Sequence, residues 1–182
     1  MTAAIPPEFS RPISTLRLGS EPARYEVAAT AAERAALADR FGIPAIHVLE
    51  AEIGLQRRPG GDIAFAATMR AAVTQICVVT LEPFDVSVEE PFTLVFRPGI
   101  DEDEADRLAL EEPDEETVEP LVNDQIDIGE VVAQELALAL DPYPRGPGAA
   151  AADGGEGQSA EQDTVTERSE SPFAVLRRPP KS

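Results

Sequence analysis

The chain predicts an α+β fold: an antiparallel, strongly curved or partly closed β-sheet packed with two main helices, carrying an acidic loop and a flexible C-terminal tail. Three observations predict it. Long stretches alternate apolar and polar residues with period two, as strands with one buried face do. Two other stretches place apolar residues every three to four positions behind a helix-capping signature. The connections between alternating stretches are of hairpin length, which favours an antiparallel sheet over a doubly wound one.

The elements follow in order. "ARYEVAA", from Ala23, reads as a short strand. "TAAERAALADRFG" reads as a helix: Thr30 caps it, Glu33 completes a capping box, Leu37 and Phe41 share a face, and Gly42 stops it. In "IPAIHVLEAEIGLQRR" His47, Leu49, Ala51, Ile53 and Leu55 take the buried parity of a strand, and Glu50 and Glu52 the wet one. Pro59–Gly61 is a turn. "DIAFAATMRAAVTQICV" is a long strand with Ile63, Phe65, Ala67, Met69, Ala71 and Val73 inward and Thr68, Arg70 and Thr74 outward. Phe84, Val86, Val88, Phe92, Leu94 and Phe96 then alternate with Asp85, Ser87, Glu89 and Thr93, in a strand pair or bent strand whose Pro91 signals an edge or a bulge. Beyond an acid-rich segment, a short extended piece leads into a second helix from about Ile128. Asp127 caps it, Glu130 offers a second capping box, and Ile128, Val132, Leu136 and Leu140 form its apolar stripe. The expected organisation is one domain over residues 1–145 with its acidic loop at 101–119, a flexible linker over 146–170, and an apolar-basic segment over 171–182.

Charge is unevenly placed. The net charge is −19, and residues 101–140 carry −14 of it, with fifteen acids against Arg107. A block of that density reads as a solvated loop, because like charges repel and resist burial. The rest of the chain is close to neutral, which argues against nonspecific nucleic-acid binding while leaving room for a local arginine patch. One cysteine forms no internal disulfide. The first twenty residues lack the charged and apolar regions of a signal peptide, and no apolar run is long enough to span a bilayer. The expectation is a soluble, cytoplasmic protein with no membrane partner.

Candidate chemistry is sparse. Nucleophilic catalysis needs a thiol or hydroxyl beside an oriented base. His47 is the only histidine, and its inward parity reads as a packed structural residue. A metal site needs three or four ligands, and one His with one Cys falls short. No glycine pattern supports a nucleotide site, and the crowded carboxylates lack an apolar pocket to tune them. Cys77 shares the inward parity of Ile63–Val73, and a buried thiol there is inert. No cofactor and no small-molecule substrate is expected.

"VTQICVVTLEPFDVSVEEPFTLVF" and "IDIGEVVAQELALALDPYPR", separated by the acidic segment, resemble the motifs of the YceD family, the large ribosomal RNA subunit accumulation proteins. The tail "SPFAVLRRPPKS" is similar to the C-terminal tails of proteobacterial members. The likeness covers roughly Tyr25 to Arg145 plus the tail, and Cys77, Leu81, Glu82, Pro83, Phe84, Asp127, Gly129 and Glu130 carry it as structural motif residues. The resemblance implies a non-enzymatic role in the synthesis, processing or accumulation of 23S rRNA and in large-subunit assembly. Many members have C-x-x-C where this chain has Cys77-Val78-Val79-Thr80, so any zinc site built on that pair is absent here.

Two modes of action fit the resemblance. In one, Arg57, Arg58 and Arg70 on the solvent face of the sheet, or Arg177, Arg178 and Lys181 in the tail, contact 23S rRNA or its precursor. In the other, the acids of the loop (Asp101, Glu102, Asp103, Glu104, Glu111, Glu112, Glu115 and Glu116) hold a basic large-subunit ribosomal protein. The dense negative charge favours the second. Phe173, Val175 and Leu176 are too apolar for a free tail, and docking back on the sheet or onto a partner stands beside disorder as an equal reading. The alternative function is a general protein-interaction module or chaperone that uses loop and tail without touching rRNA.

Overall fold

The computed structural model describes residues 7–111 and 116–149. In chain order the elements are β1 (Pro12–Ser14), a 3-10 turn (Thr15–Arg17), β2 (Ala23–Ala28), α1 (Ala31–Phe41), β3 (Ala45–Arg57), β4 (Ile63–Ile76), β5 (Pro83–Pro98), α2 (Glu102–Glu111), β6 (Val118–Leu121), β7 (Gln125–Asp127) and α3 (Ile128–Ala139). The α+β class holds. The sheet is five-stranded in the order β2-β3-β4-β5-β6, and β1 and β7 form a separate pair. Its edges, β2 and β6, are not joined, so the sheet is open rather than partly closed, and strong curling is not seen either. It is also mixed, because β6 runs parallel to β5.

The predicted alternation sets the layers. Leu49, Ala51, Ile53 and Leu55 of β3 and Ile63, Phe65, Met69 and Val73 of β4 are buried. They form one core with Leu37 of α1 and Ile128, Val132 and Leu136 of α3. Thus α1 and α3 cover one face of the sheet and leave the other open. The α1 capping box forms as expected: Glu33 N–H donates to Thr30 Oγ1 and the Glu33 carboxylate accepts from Thr30 N–H. Gly42 ends α1 at φ 66°, a left-handed conformation that glycine tolerates.

Three expectations fail for identifiable reasons. The acidic segment is not all loop. It folds as α2 over Glu102–Glu111 because Asp101 caps it (Glu104 N–H to Oδ1, 2.9 Å), three acids sit at the positive helix N-terminus, and Ala105 is buried. As the crossover between β5 and β6, α2 makes their parallel pairing possible. His47 does not point inward. The β3–β4 register shifts between Ile46 and Val48, so His47 is the extra residue of a bulge and lies exposed on the open face. The second capping box is half made. Asp127 accepts from the Gly129 and Glu130 N–H groups, but Glu130 pairs with Arg40 of α1 at 2.9 Å instead of reaching back. β5 is one strand with continuous register to β4 and no bulge, which places Pro91 in an unpaired margin.

The segment before β2 escaped the alternation argument and proves integral. Arg11 N–H donates to Asp127 Oδ1 (2.6 Å), Arg11 C=O accepts from Ile128 N–H (3.1 Å), and the Arg11 guanidinium pairs with Glu33 (2.8 Å). Phe9 is fully buried beneath it.

Candidate functional site

Two acidic surfaces stand out. The first is the open face of the sheet. Strand register lines up the rows Glu26–Glu52–Thr68–Pro91 and Ala28–Glu50–Arg70–Glu89 across β2 to β5. A third row, Arg24–Gly54–Ala66–Thr93, has the small residues Gly54 and Ala66 at its centre. The result is a shallow double groove, about 550 Å³ and 420 Å³, whose two parts share Glu26, Glu52 and Thr68. Glu26 stands directly opposite Glu52, a like-charge pairing that costs stability. The second surface is α2. Asp101 is occupied in capping, and Glu104 and Glu111 lie 3.1 and 4.0 Å from Arg107. Glu102 and Asp103 are exposed and make no ion pair among the described residues. Beside α2, burial raises the pKa of Glu119, helped by the charges of Asp106 and Glu102.

The arginines proposed for rRNA do not form a free patch. Arg57 is spent on the fold: its guanidinium donates to Leu18 C=O (3.2 Å), Gly61 C=O (3.2 Å) and Thr15 C=O (2.7 Å). Arg58 makes a bidentate pair with Glu116 (Nη2–Oε1 2.9 Å), which raises its pKa. Arg70 lies between Glu89 (3.2 Å) and Glu52 (3.3 Å), and its pKa is raised by both, Glu89 the more. Sequence parity brought Arg70 to the open face, but it missed Glu26, Glu50 and Arg24 as a set, because they meet only through strand register. Glu112, Glu115, Phe173, Val175, Leu176, Arg177, Arg178 and Lys181 lie outside the described residues.

The motif residues have visible structural tasks. Cys77 closes β4 at 1 % exposure, with its N–H donating to Glu82 C=O (2.9 Å) and its C=O accepting from Leu81 N–H (2.9 Å). Its sulfur accepts the Thr80 N–H at 3.4 Å. Hydrogen bonds from the Thr80 side chain and N–H, then from Gly146 and Val79, lower the thiol pKa to about 7. These are all hydrogen bonds to neutral groups, and no cation takes part. Leu81 turns the chain at φ 60° and is 75 % exposed. Phe84 packs against Gly146, where an added Cβ would lie 3.0 Å from its ring. Gly129 lies still closer to Phe9: a Cβ there would stand 2.4 Å from the Phe9 carbonyl oxygen.

His47 Nε2 lies 2.8 Å from Thr74 Oγ1, and Thr74 Oγ1 donates to Asp85 Oδ1 at 2.6 Å. Base and carboxylate both address one hydroxyl, so the carboxylate does not orient the base as a catalytic triad requires. Among the described residues no three His, Cys, Asp or Glu side chains converge as a metal-ligand set, and no helix is long and apolar enough to cross a membrane.

Fold and surface together define a two-layer α+β protein whose sheet has one helix-packed face and one open, acid-rich face. Residues 65–178 match the family model described as large ribosomal RNA subunit accumulation protein YceD, and the chain belongs to that family. The description implies a part in the accumulation of large-subunit rRNA and hence in ribosome biogenesis. No curated protein and no solved structure matches the chain. The match reaches Arg178, so the family pattern includes the tail, while β1, β2, α1 and β3 precede it.

Proposed function

We propose that this chain supports 23S rRNA accumulation without catalysis, by holding a basic large-subunit ribosomal protein on its acidic surfaces. The observation that carries the reading is the state of the charges. Arg57, Arg58 and Arg70 are already bonded to carbonyls or carboxylates, while Glu102, Asp103, Glu26 and Glu50 have no ion-pair partner among the described residues. An arginine must give up its carboxylate before it can neutralise a phosphate, so a sheet-borne RNA contact starts at a disadvantage. Exposed carboxylates impose no such cost on a basic partner and speed its approach. The partner would be kept from premature contact with rRNA until its binding site forms.

Crosslinking in cells, followed by sequencing of bound RNA and identification of bound proteins, tests this. The expected result is capture of a basic large-subunit protein, lost in Glu102→Lys/Asp103→Lys and retained in Arg58→Glu/Arg70→Glu. Direct 23S rRNA crosslinks lost only in the arginine variants would overturn it.

A further inference from the structure

The free edge of β5 points to a use for the C-terminal segment, independently of the function proposed above. Val95 N–H donates to Thr117 C=O of the stretch leading into β6 (2.9 Å), so odd-numbered residues of β5 direct their backbone groups away from β4. β6 covers this side only at Val95–Pro98. The N–H and C=O groups of Asp85, Ser87 and Glu89 therefore face outward, without a backbone partner among the described residues. Pro91, which has no N–H, stands on the same side and separates this open stretch from the part paired with β6.

An open strand edge of this length is normally blunted or covered. Its side chains call for a cover of definite chemistry. On the helix side Val86 and Val88 are only half-buried, and Leu138 of α3 is 78 % exposed. Glu135 lies one turn from Leu138, and burial followed by the charges of Glu90 and Glu119 raises its pKa, so it lacks a cation. On the open side stand Asp85 and Glu89.

We propose that residues 171–178, "SPFAVLRR", add to the free edge of β5 as a further strand. In extended form Phe173, Val175 and Arg177 share one side, matching Val86, Val88 and the acids Glu90 and Glu135. Leu176 and Arg178 fall on the opposite, open side, the one that carries the acids Asp85 and Glu89. The chain leaves the described structure where β5 begins: Gly146 abuts Phe84 and Gly148 abuts Thr80. The twenty-one residues 150–170 are of a length whose flexible-coil span is at least about 25 Å, and the edge from Pro83 to Glu89 runs roughly 20 Å. That the family match ends at Arg178 fits a segment that belongs to the domain.

Residue-resolved amide hydrogen exchange on the full chain tests the proposal. Ser87 and Glu89 amides should exchange roughly tenfold or more slowly than in Phe173→Asp/Val175→Asp. Val86 and Val88 amides, already bonded to β4, should not change. Fast exchange of Ser87 and Glu89 in the full chain would overturn the proposal. So would protection that persists in the variant, or protection that rises with concentration alongside a dimeric mass, which would assign the edge to a second copy. Protection found instead at Ile76, with none at Ser87 and Glu89, would put the segment in the groove that Phe41, Ile43, Ile76 and Leu140 line beside the start of β5 and overturn strand addition equally.

Discussion

Gly129→Ala sets two physical effects against each other. Helix propensity alone predicts that alanine in α3 stabilises, by at most about 1 kcal/mol. Packing predicts the reverse. The new Cβ would stand 2.4 Å from Phe9 O, 3.0 Å from Phe9 C and 3.2 Å from Arg11 N. These are backbone atoms that cannot rotate aside, so the 9–11 segment must retreat. Retreat strains or breaks the 2.6 Å bond from Arg11 N–H to the Asp127 carboxylate and loosens Phe9, which is fully buried. Overpacking of this kind costs about 1–3 kcal/mol, and a weakened hydrogen bond to a charged group about 1.5–3 kcal/mol at most. The expected net loss is about 2–4 kcal/mol, or roughly 5–15 °C in Tm for a chain of this size. Urea unfolding followed by circular dichroism gives the sign directly through its midpoint. A variant as stable as the parent, or more stable, would refute the claim that the N-terminal segment seats on Gly129.

Three further expectations follow from single residues. Arg57→Ala should lose about 2–4 kcal/mol, because three backbone carbonyls lose a charged donor, while Arg70→Ala should leave the unfolding midpoint nearly unchanged. RNA-binding assays on Arg57 variants therefore need a folding control. Cys77 should resist iodoacetamide in the native protein despite a pKa of about 7, since its sulfur is buried, and should label at an ordinary thiol rate in urea; fast native labelling would contradict the burial. The Arg11 guanidinium, with Thr30 N–H and hydroxyl, holds the Glu33 pKa down to about 2. A depressed carboxylate stabilises fully above its unfolded value near 4.5, and this contribution is lost as pH falls through about 2. Glu33→Gln should flatten the fall in stability measured between those values, and an unchanged slope would assign the acid sensitivity elsewhere.

Local signals were legible wherever local physics decides. The Thr30–Glu33 box, the Gly42 stop and the parity of β3 and β4 depend on neighbours in sequence, and each was readable there. β1 was not, because three residues carry no period and its partner β7 lies far along the chain. His47 was misplaced because a bulge reverses parity without leaving a mark in composition. α2 was hidden by its own charge: the acids that suggested repulsion also favour a helix N-terminus, and Ala105 is a small anchor. The fate of the arginines was beyond parity altogether. Parity gives a face, whereas the partners Glu52, Glu89 and Glu116 arrive from other strands and from the crossover.

The pairing of β1 with β7 also has a consequence in time. Pro12 meets Asp127, so the β1 segment is held by a partner that is synthesised more than a hundred residues later. At cellular rates of elongation the intervening chain takes on the order of ten seconds to make. Throughout that interval Phe9 has no α3 to lie under, and the Gly129 seat does not yet exist. The β2–β3–β4–β5 meander, whose strands pair with their sequence neighbours, can close well before. The nascent chain is thus expected to pass through a stage with an assembled sheet and an unlatched β1 segment, open to proteases and chaperones until α3 emerges.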